Sequence, residues 1–292
     1  MKLFLLANPK AAGGRARTLL PALRAFFARR VTDFGYGEAT ASEDICRQAQ
    51  EAARTGYERV LVAGGDGTAH TALNALCGSA AALGILPVGH GNDLARALGV
   101  PLEPQAAAEF LLEAPVGFMD VARVGEKIFG CVSGVGFDSE TNRRANSWGP
   151  WPKGHLRYFL AGLLTLIRYR PLRLEMVTDS EEFTGEVMWV AVANAPTYGG
   201  GVRIAPEARL DDGLLDVCII ERTSRLALLA LYPSIMRGGH LRARPVRYFR
   251  CSRVTLRAPA GAALYGDGEF LGLLPLEIKI EPAAARVVCR PQ

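Results

Sequence analysis

With 292 residues, 49% of them hydrophobic and 22% charged, the chain has globular composition and the length for one large domain or two ordinary ones. No apolar run approaches the roughly 20 residues of a spanning helix, and even Phe159 to Ile167 is broken by Gly162 and Thr165, which excludes a membrane-spanning protein. The net charge of +5 is modest but uneven: no acid occurs from Thr141 to Leu174 or from Arg222 to Gly266, so these arginine-rich windows point toward an acidic counterpart.

In chain order, the first apolar stretch, Leu3 to Ala7, runs into Asn8-Pro9 rather than a cleavage site and reads as the first β-strand of a cytoplasmic protein. Arg59 to Ala63 and Leu83 to Val88 read as further strands, with helical patterns over Arg15 to Ala28, Ser42 to Thr55 and Thr68 to Leu76 between them. A βαβ series of this kind predicts a parallel sheet covered by helices, a first domain over residues 1–115. From Val116 the texture becomes β-rich, with strands at Phe118 to Val124, Ile128 to Ser133, Val187 to Asn194, Leu215 to Ile220 and Val254 to Ala258 and one helix from His155 to Tyr169. A second, largely antiparallel domain is expected over 116–292. The cysteines (46, 77, 131, 218, 251, 289) form no CxxC pair and the four histidines (70, 90, 155, 240) show no ligand spacing, which speaks against zinc and a disulfide framework.

The strongest chemical signal is Gly64-Gly65-Asp66-Gly67-Thr68, which follows a strand and opens a helix. Glycines let the backbone approach phosphates closely, and the helix start offers N–H groups to anionic oxygens. A carboxylate among them repels phosphate unless Mg²⁺ bridges the two or a hydroxyl binds there instead; the plain alternative is a tight turn with Asp66 as cap. No GxxxxGK[ST] and no GxGxxG occurs, so the phosphate site is neither a Walker loop nor a dinucleotide fingerprint. Pro87-Val88-Gly89-His90-Gly91-Asn92-Asp93-Leu94-Ala95-Arg96 is a second strand-to-helix turn. In a parallel sheet both turns emerge at the carboxyl edge, so Asp66, Asp93 and Arg96 can share a site, the rival being an N-cap at Asn92-Asp93 with Arg96 paired to Asp93. Asn8-Pro9-Lys10 with Gly13-Gly14 forms a third turn of this type.

These three turns, followed by Asp211-Asp212-Gly213-Leu214-Leu215-Asp216 and by Gly266-Asp267-Gly268-Glu269, resemble in order and spacing the diacylglycerol kinase and sphingosine kinase superfamily, especially its bacterial lipid kinases. The resemblance spans nearly the whole chain. It implies an α/β nucleotide-binding domain and a β-sandwich-like domain with ATP in the cleft between them, the last strand returning to the first domain. It also implies that Gly64, Gly65, Asp66, Gly67, Thr68, Ala69, His70 and Thr71 line the ATP site with Asn8 and Thr40 at its rim, while His90, Asp93 and Arg96 contribute from the second turn. Glu269 falls on the family's proton acceptor, and Asp212 with the backbone carbonyls of Arg209 and Leu214 falls on its structural Mg²⁺ site. The implied activity is Mg²⁺-dependent transfer of the ATP γ-phosphate to the hydroxyl of diacylglycerol or a related glycerolipid or sphingoid base, with Asp66 and Glu269 as catalytic residues. Asp120 and Asp138 are expected to add acidity to the same cleft.

The sequence departs from the family pattern at His90, where threonine is usual, and at Thr71, where glutamate is usual. Rival readings are an NAD kinase-like or phosphofructokinase-like enzyme and a non-catalytic lipid-binding homologue. Drawing a substrate from a bilayer calls for peripheral contact with the inner face of the membrane. The first acid-free window offers Arg143, Arg144, Trp148, Trp151, Lys153 and Arg157 for it, the plain alternative being a helix that caps the second domain's core. Nucleic acid is not an expected partner, because no aromatic-basic recognition module is present, and a homodimer is left open.

Overall fold

A computed structural model describes residues 1–149, 154–259 and 261–290. The chain divides into two compact units, Met1–Val121 with Pro282–Gln292, and Ala122–Glu281. The division falls inside the strand Val116–Val124, a little beyond the 115/116 boundary expected from the sequence.

The first unit is α/β. Its elements are β1 (Lys2–Ala7), α1 (Ala16–Arg30), β2 (Asp33–Glu38), α2 (Ser42–Arg54), β3 (Arg59–Gly64), α3 (Asp66–Leu76), β4 (Ala82–Pro87), the short α4 (Asp93–Ala97), α5 (Pro104–Glu113) and most of β5 (Val116–Val124). The strands lie parallel in the order β2-β1-β3-β4, and Val287, close to the chain's end, pairs in parallel with Leu83. The helices pack in pairs, α1 with α5 and α2 with α3. Every residue of β4 is buried, as a parallel strand covered on both faces requires, and that burial explains its unbroken apolar run. α5 begins where Glu103 accepts from the N–H groups of Gln105 (3.0 Å) and Ala106 (2.6 Å), with Pro104 at its first position.

The second unit is β-rich. It holds β6 (Lys127–Phe129), β7 (Val132–Gly136), α6 (Phe137–Asn146), α7 (Gly154–Arg168), β8 (Leu172–Thr178), β9 (Glu182–Ala193), β10 (Leu215–Glu221), α8 (Arg225–Arg237), β11 (Val246–Cys251), β12 (Arg253–Arg257), β13 (Ala263–Gly266), β14 (Glu269–Leu273) and the first part of β15 (Leu276–Val288). The long strand β9 organises it: one half pairs with β8, the other lies between β7 and β10, all antiparallel. Val135, Val190, Val192, Val217, Leu256 and Ile278 belong to one buried cluster between these strands. At about 25 cal/mol per Å² of apolar surface removed from water, each such side chain contributes roughly 1.5–3 kcal/mol before conformational entropy is counted. The helix expected at His155 to Tyr169 is α7, while α8 was not anticipated. Ser224 caps its start, its Oγ accepting from Ala227 N at 3.1 Å, and Gly238 ends it in the left-handed conformation (φ 77°). Among the described residues, no helix is long and apolar enough to cross a membrane.

His240 is fully buried, with Nε2 3.0 Å from the carbonyl oxygen of Ile204 and no hydrogen-bond partner for Nδ1 among the described residues. Burial lowers its pKa below the ordinary 6.5, so the folded state holds the neutral ring and the unfolded state takes up the proton first. Its contribution is therefore present above about pH 6.5 and lost as pH falls below that value. The wild-type urea midpoint is expected to fall more steeply between pH 7.5 and 5.5 than that of His240→Gln.

Candidate active site

In the first unit, the three glycine-bearing turns follow β1, β3 and β4 and meet at the carboxyl edge of the parallel sheet. Asp66 is the first residue of α3, and its carboxylate joins two of these turns: Oδ2 accepts from Asn92 N at 3.0 Å and Oδ1 from Asp93 N at 2.7 Å. The amides at the start of α4 thus find their acceptor in another helix's first turn. Asn92, in the left-handed region (φ 57°), gives no side-chain cap to α4 and instead closes its own turn, exchanging side-chain bonds with Gly89 N (3.0 Å) and Gly89 O (3.1 Å). The two turns pack backbone against backbone: a Cβ on Gly89 would sit 2.3 Å from Gly65 Cα, and one on Gly91 would sit 2.4 Å from Asp66 Oδ2. Side chains at either position would push the turns apart.

Asn8 connects the third turn. Its Nδ2 donates to Thr68 Oγ1 at 3.0 Å and its Oδ1 accepts from Lys10 N at 3.0 Å. Thr40 is exposed just beyond β2, and His90 and Arg96 are exposed on the second turn, where Arg96 Nε donates to Gly91 O at 3.3 Å. Thr71 Oγ1 donates to Gly67 O at 2.9 Å, a bond back into its own helix, and His70 lies against Asn74, whose Nδ2 donates to the His70 carbonyl at 2.9 Å. Ala69 is buried in α3.

In the second unit, Gly266-Asp267-Gly268-Glu269 is the β13–β14 hairpin turn, with Asp267 (φ 52°) and Gly268 (φ 88°) both left-handed, the signature of a type I′ turn. The Asp267 carboxylate accepts from the amides of Gly130 (2.7 Å), Cys131 (3.0 Å) and Val132 (3.2 Å), which fixes the hairpin to the β6–β7 connection. Glu269 is exposed at the start of β14. Sequence reasoning named Glu269 and passed over the anchoring role of Asp267, whose partners lie more than a hundred residues away.

Asp120 and Asp138, expected from the sequence to add acidity to one cleft, each have hydrogen-bond partners within their own unit. Asp120 is buried in the first unit, where Oδ1 accepts from Ala283 N at 2.7 Å. Asp138 sits at the start of α6 in the second unit, its oxygens held by the Tyr198 hydroxyl (3.0 Å) and Asn142 Nδ2 (3.2 Å). Burial pushes its carboxyl up to about 6 against the lowering effect of the Tyr198 bond.

No three His, Cys, Asp or Glu side chains gather as metal ligands among the described residues. The expected Mg²⁺ site uses a different donor set, one carboxylate and two backbone carbonyls, all of them oxygens as a hard cation requires. Asp212 Oδ1 accepts from Leu214 N at 3.1 Å, which folds the segment into a tight turn. Beside it Asp216 is fully buried: Oδ1 takes Tyr248 OH (2.6 Å) and Arg250 Nε (3.0 Å), and Oδ2 has no hydrogen-bond partner among the described residues. Burial, with the neighbouring charge of Asp212, pushes the Asp216 carboxyl up. An oxygen-rich turn beside a buried carboxylate that keeps one oxygen unbonded despite its Arg250 partner fits a bound cation.

A glycine-turn α/β unit joined to an antiparallel β-rich unit is the architecture of lipid kinases built on a diacylglycerol kinase catalytic domain. A model of the diacylglycerol kinase catalytic domain matches residues 2–124, and one of the YegS C-terminal NAD kinase beta sandwich-like domain matches residues 130–289. A protein of Mycobacterium tuberculosis named diacylglycerol kinase is 37% identical over 298 residues, covering 100% of this chain and 96% of its own. A diacylglycerol kinase of Bacillus subtilis is 31% identical over 82% of this chain and 80% of its own. The crystal structure of a diacylglycerol kinase from Bacillus anthracis superposes with a TM-score of 0.78 at 22% identity, covering 99% of this chain and 97% of that one, and shares the fold. The chain belongs to the diacylglycerol kinase family of ATP-dependent lipid kinases.

Two stability outcomes follow from this geometry. Asp267→Ala leaves three amides without their acceptor and is expected to lower stability by at least ~2 kcal/mol in urea unfolding. For Asp138 the folded pKa lies above the unfolded one, so its contribution is present at low pH and lost as pH rises through about 6. Asp138→Asn is therefore expected to gain ~1–3 kcal/mol relative to wild type between pH 5 and pH 8, read from paired urea midpoints.

Proposed function

We propose that this kinase transfers the γ-phosphate of ATP to the free hydroxyl of diacylglycerol or a closely related glycerolipid or sphingoid base, with Glu269 as the proton acceptor. The observation that carries the reading is the convergence of three amide-rich turns on one sheet edge, joined by Asp66 and by the Asn8–Thr68 bond. Turns that end in helix N-termini favour the phosphates of a nucleotide, with exposed His90 and Arg96 as donors beside them. Thr40 and Asn8 form the rim, and Asp66 holds the turns in register. In the transfer, the lipid hydroxyl oxygen bonds to the γ-phosphorus, the bond to the β–γ bridging oxygen breaks, ADP leaves, and the hydroxyl proton passes to the Glu269 carboxylate. Diacylglycerol is favoured because the Mycobacterium and Bacillus relatives carry that name.

The Asp212 carboxylate and the carbonyl oxygens of Arg209 and Leu214 would hold Mg²⁺. A cation held by these oxygens would supply positive charge beside Asp212 and tie together the turn that leads into β10.

Docking at a bilayer falls to α7. Its exposed Leu156, Phe159, Leu163, Leu164 and Ile167 form one side of the helix, while Ala161 and Thr165 are buried on the other. Arg144 Nε donates to Thr165 Oγ1 (3.1 Å) and Arg157 to the carbonyl of Ala145 (3.2 Å), so these two arginines also hold α6 and α7 together, while Arg143 pairs with Glu140 within α6 (2.5 Å). Trp148 follows α6, and Trp151 and Lys153 lie outside the described residues.

Phosphate transfer from labelled ATP with Mg²⁺ to a panel of lipids in mixed micelles tests the reading. Diacylglycerol is expected to be labelled. Glu269→Ala is expected to lower turnover by ~10²–10⁴-fold with an unchanged thermal midpoint, because the side chain is exposed. Asp66→Asn is expected to lose both turnover and stability. Labelling of NAD or a sugar phosphate instead, or of no acceptor at all, would overturn the proposal.

A further inference from the structure

α8 is apolar almost throughout, yet only Leu228 and Ile235 are buried. Leu226 is 79% exposed, more than any other large hydrophobic residue described, and Leu229, Tyr232 and Met236 are exposed with it. At about 100° per residue these four positions fall within one third of the helix circumference, with Arg225 on the same third at its N-terminal end and Arg237 beside it at the C-terminal end. The start of α8 is tied to the residue that follows α7, Arg225 Nη2 donating to Tyr169 O at 3.2 Å. The two helices with the most exposed apolar surface thus neighbour one another, and each lies in one of the chain's two acid-free windows.

We propose that α8 is a second bilayer-docking element, its Leu226–Leu229–Tyr232–Met236 stripe entering the interface of an anionic membrane beside α7. Charge selects this occupant. Arg222, Arg247 and Arg250 have carboxylate partners in Glu186, Glu221 and Asp216. Arg225, Arg237, Arg242 and Arg244 have no carboxylate within ion-pair distance among the described residues, and all four are exposed. A second copy of the chain docked on this face would bring two such arginine sets together, whereas anionic headgroups neutralise them while the leucines reach the acyl boundary. Tyr232 suits the same depth, with an apolar ring and a polar tip. The purpose of the surface rests on the lipid-kinase reading, but its test needs no turnover.

The test is co-sedimentation of the full chain with large unilamellar vesicles of phosphatidylcholine, with and without phosphatidylglycerol. Wild type is expected to bind the anionic vesicles, more weakly at high salt. Leu226→Glu/Leu229→Glu is expected to reduce the partition coefficient at least ~tenfold. Leu226→Gln is expected to give a smaller loss in the same direction, with unchanged thermal midpoints confirming that both variants fold. Binding lost by Leu164→Glu/Ile167→Glu but kept by the α8 variants would overturn the proposal. So would an α8 variant that turns a dimer into a monomer in sedimentation velocity, since a second copy would then cover the stripe. Absence of lipid phosphorylation in micelles, with α8-dependent vesicle binding intact, would remove the kinase reading and leave the docking surface standing.

Discussion

The bond pair from Asn92 N and Asp93 N to the Asp66 carboxylate is the constraint on which the carboxyl edge of the parallel sheet depends. Two turns in a parallel sheet do not converge unaided, because each emerges from its own strand and both carry amides that repel cations and one another. A carboxylate shared between two helix starts satisfies donors from the second turn and complements the positive end of the first helix in one group. Charge-assisted bonds of this length are about twice as strong as neutral ones, so the turns are held before any ligand arrives. The glycines are a consequence of that closeness: with Gly89 packed on Gly65, any side chain would undo the carboxylate's bonds.

The second unit uses the same device. Asp267 takes three amides of the β6–β7 connection, and the left-handed Asp267-Gly268 pair turns the chain sharply afterwards. Glu269 is thereby presented on a rigid hairpin with its carboxylate exposed. Two acids two residues apart differ in their surroundings, one bonded to the backbone and one exposed. A side chain on a pinned hairpin has little backbone entropy left to lose, which is the advantage of a positioned group over a flexible one.

Much of this was legible in the sequence because it is local. Strand, glycines and helix start follow one another within a few residues around Asp66 and again around Asn92, and the buried parallel strands announce themselves as unbroken apolar runs. What stayed hidden depends on distant partners. β2 carries Gly35 and Gly37, which read as strand breakers, yet a Cβ there would meet the Tyr57 hydroxyl at 2.4 Å and Gln48 Oε1 at 2.1 Å, so glycine is what lets those side chains close over the strand. α8 escaped notice because Pro233 and its wide apolar coverage obscure the stripe that marks a half-buried helix. The anchoring roles of Asp120 and Asp267 rest on amides 163 and 136 residues away, a separation that no local pattern encodes.

Where the acids sit accounts for the surface as well as for the site. Asp66, Asp120 and Asp267 serve backbone amides, and each short side chain reaches them without displacing its own turn. Asp138 and Asp216 are kept among aromatic and arginine partners at a desolvation cost that raises both pKa values. Acids used in this way leave two long windows without any, and α7 and α8 fall within them. The negative charge that makes the interior work is thus absent where the exposed leucines are. An apolar, cationic face of this composition is poorly matched to water, and this mismatch is what the proposed docking on an anionic bilayer would relieve.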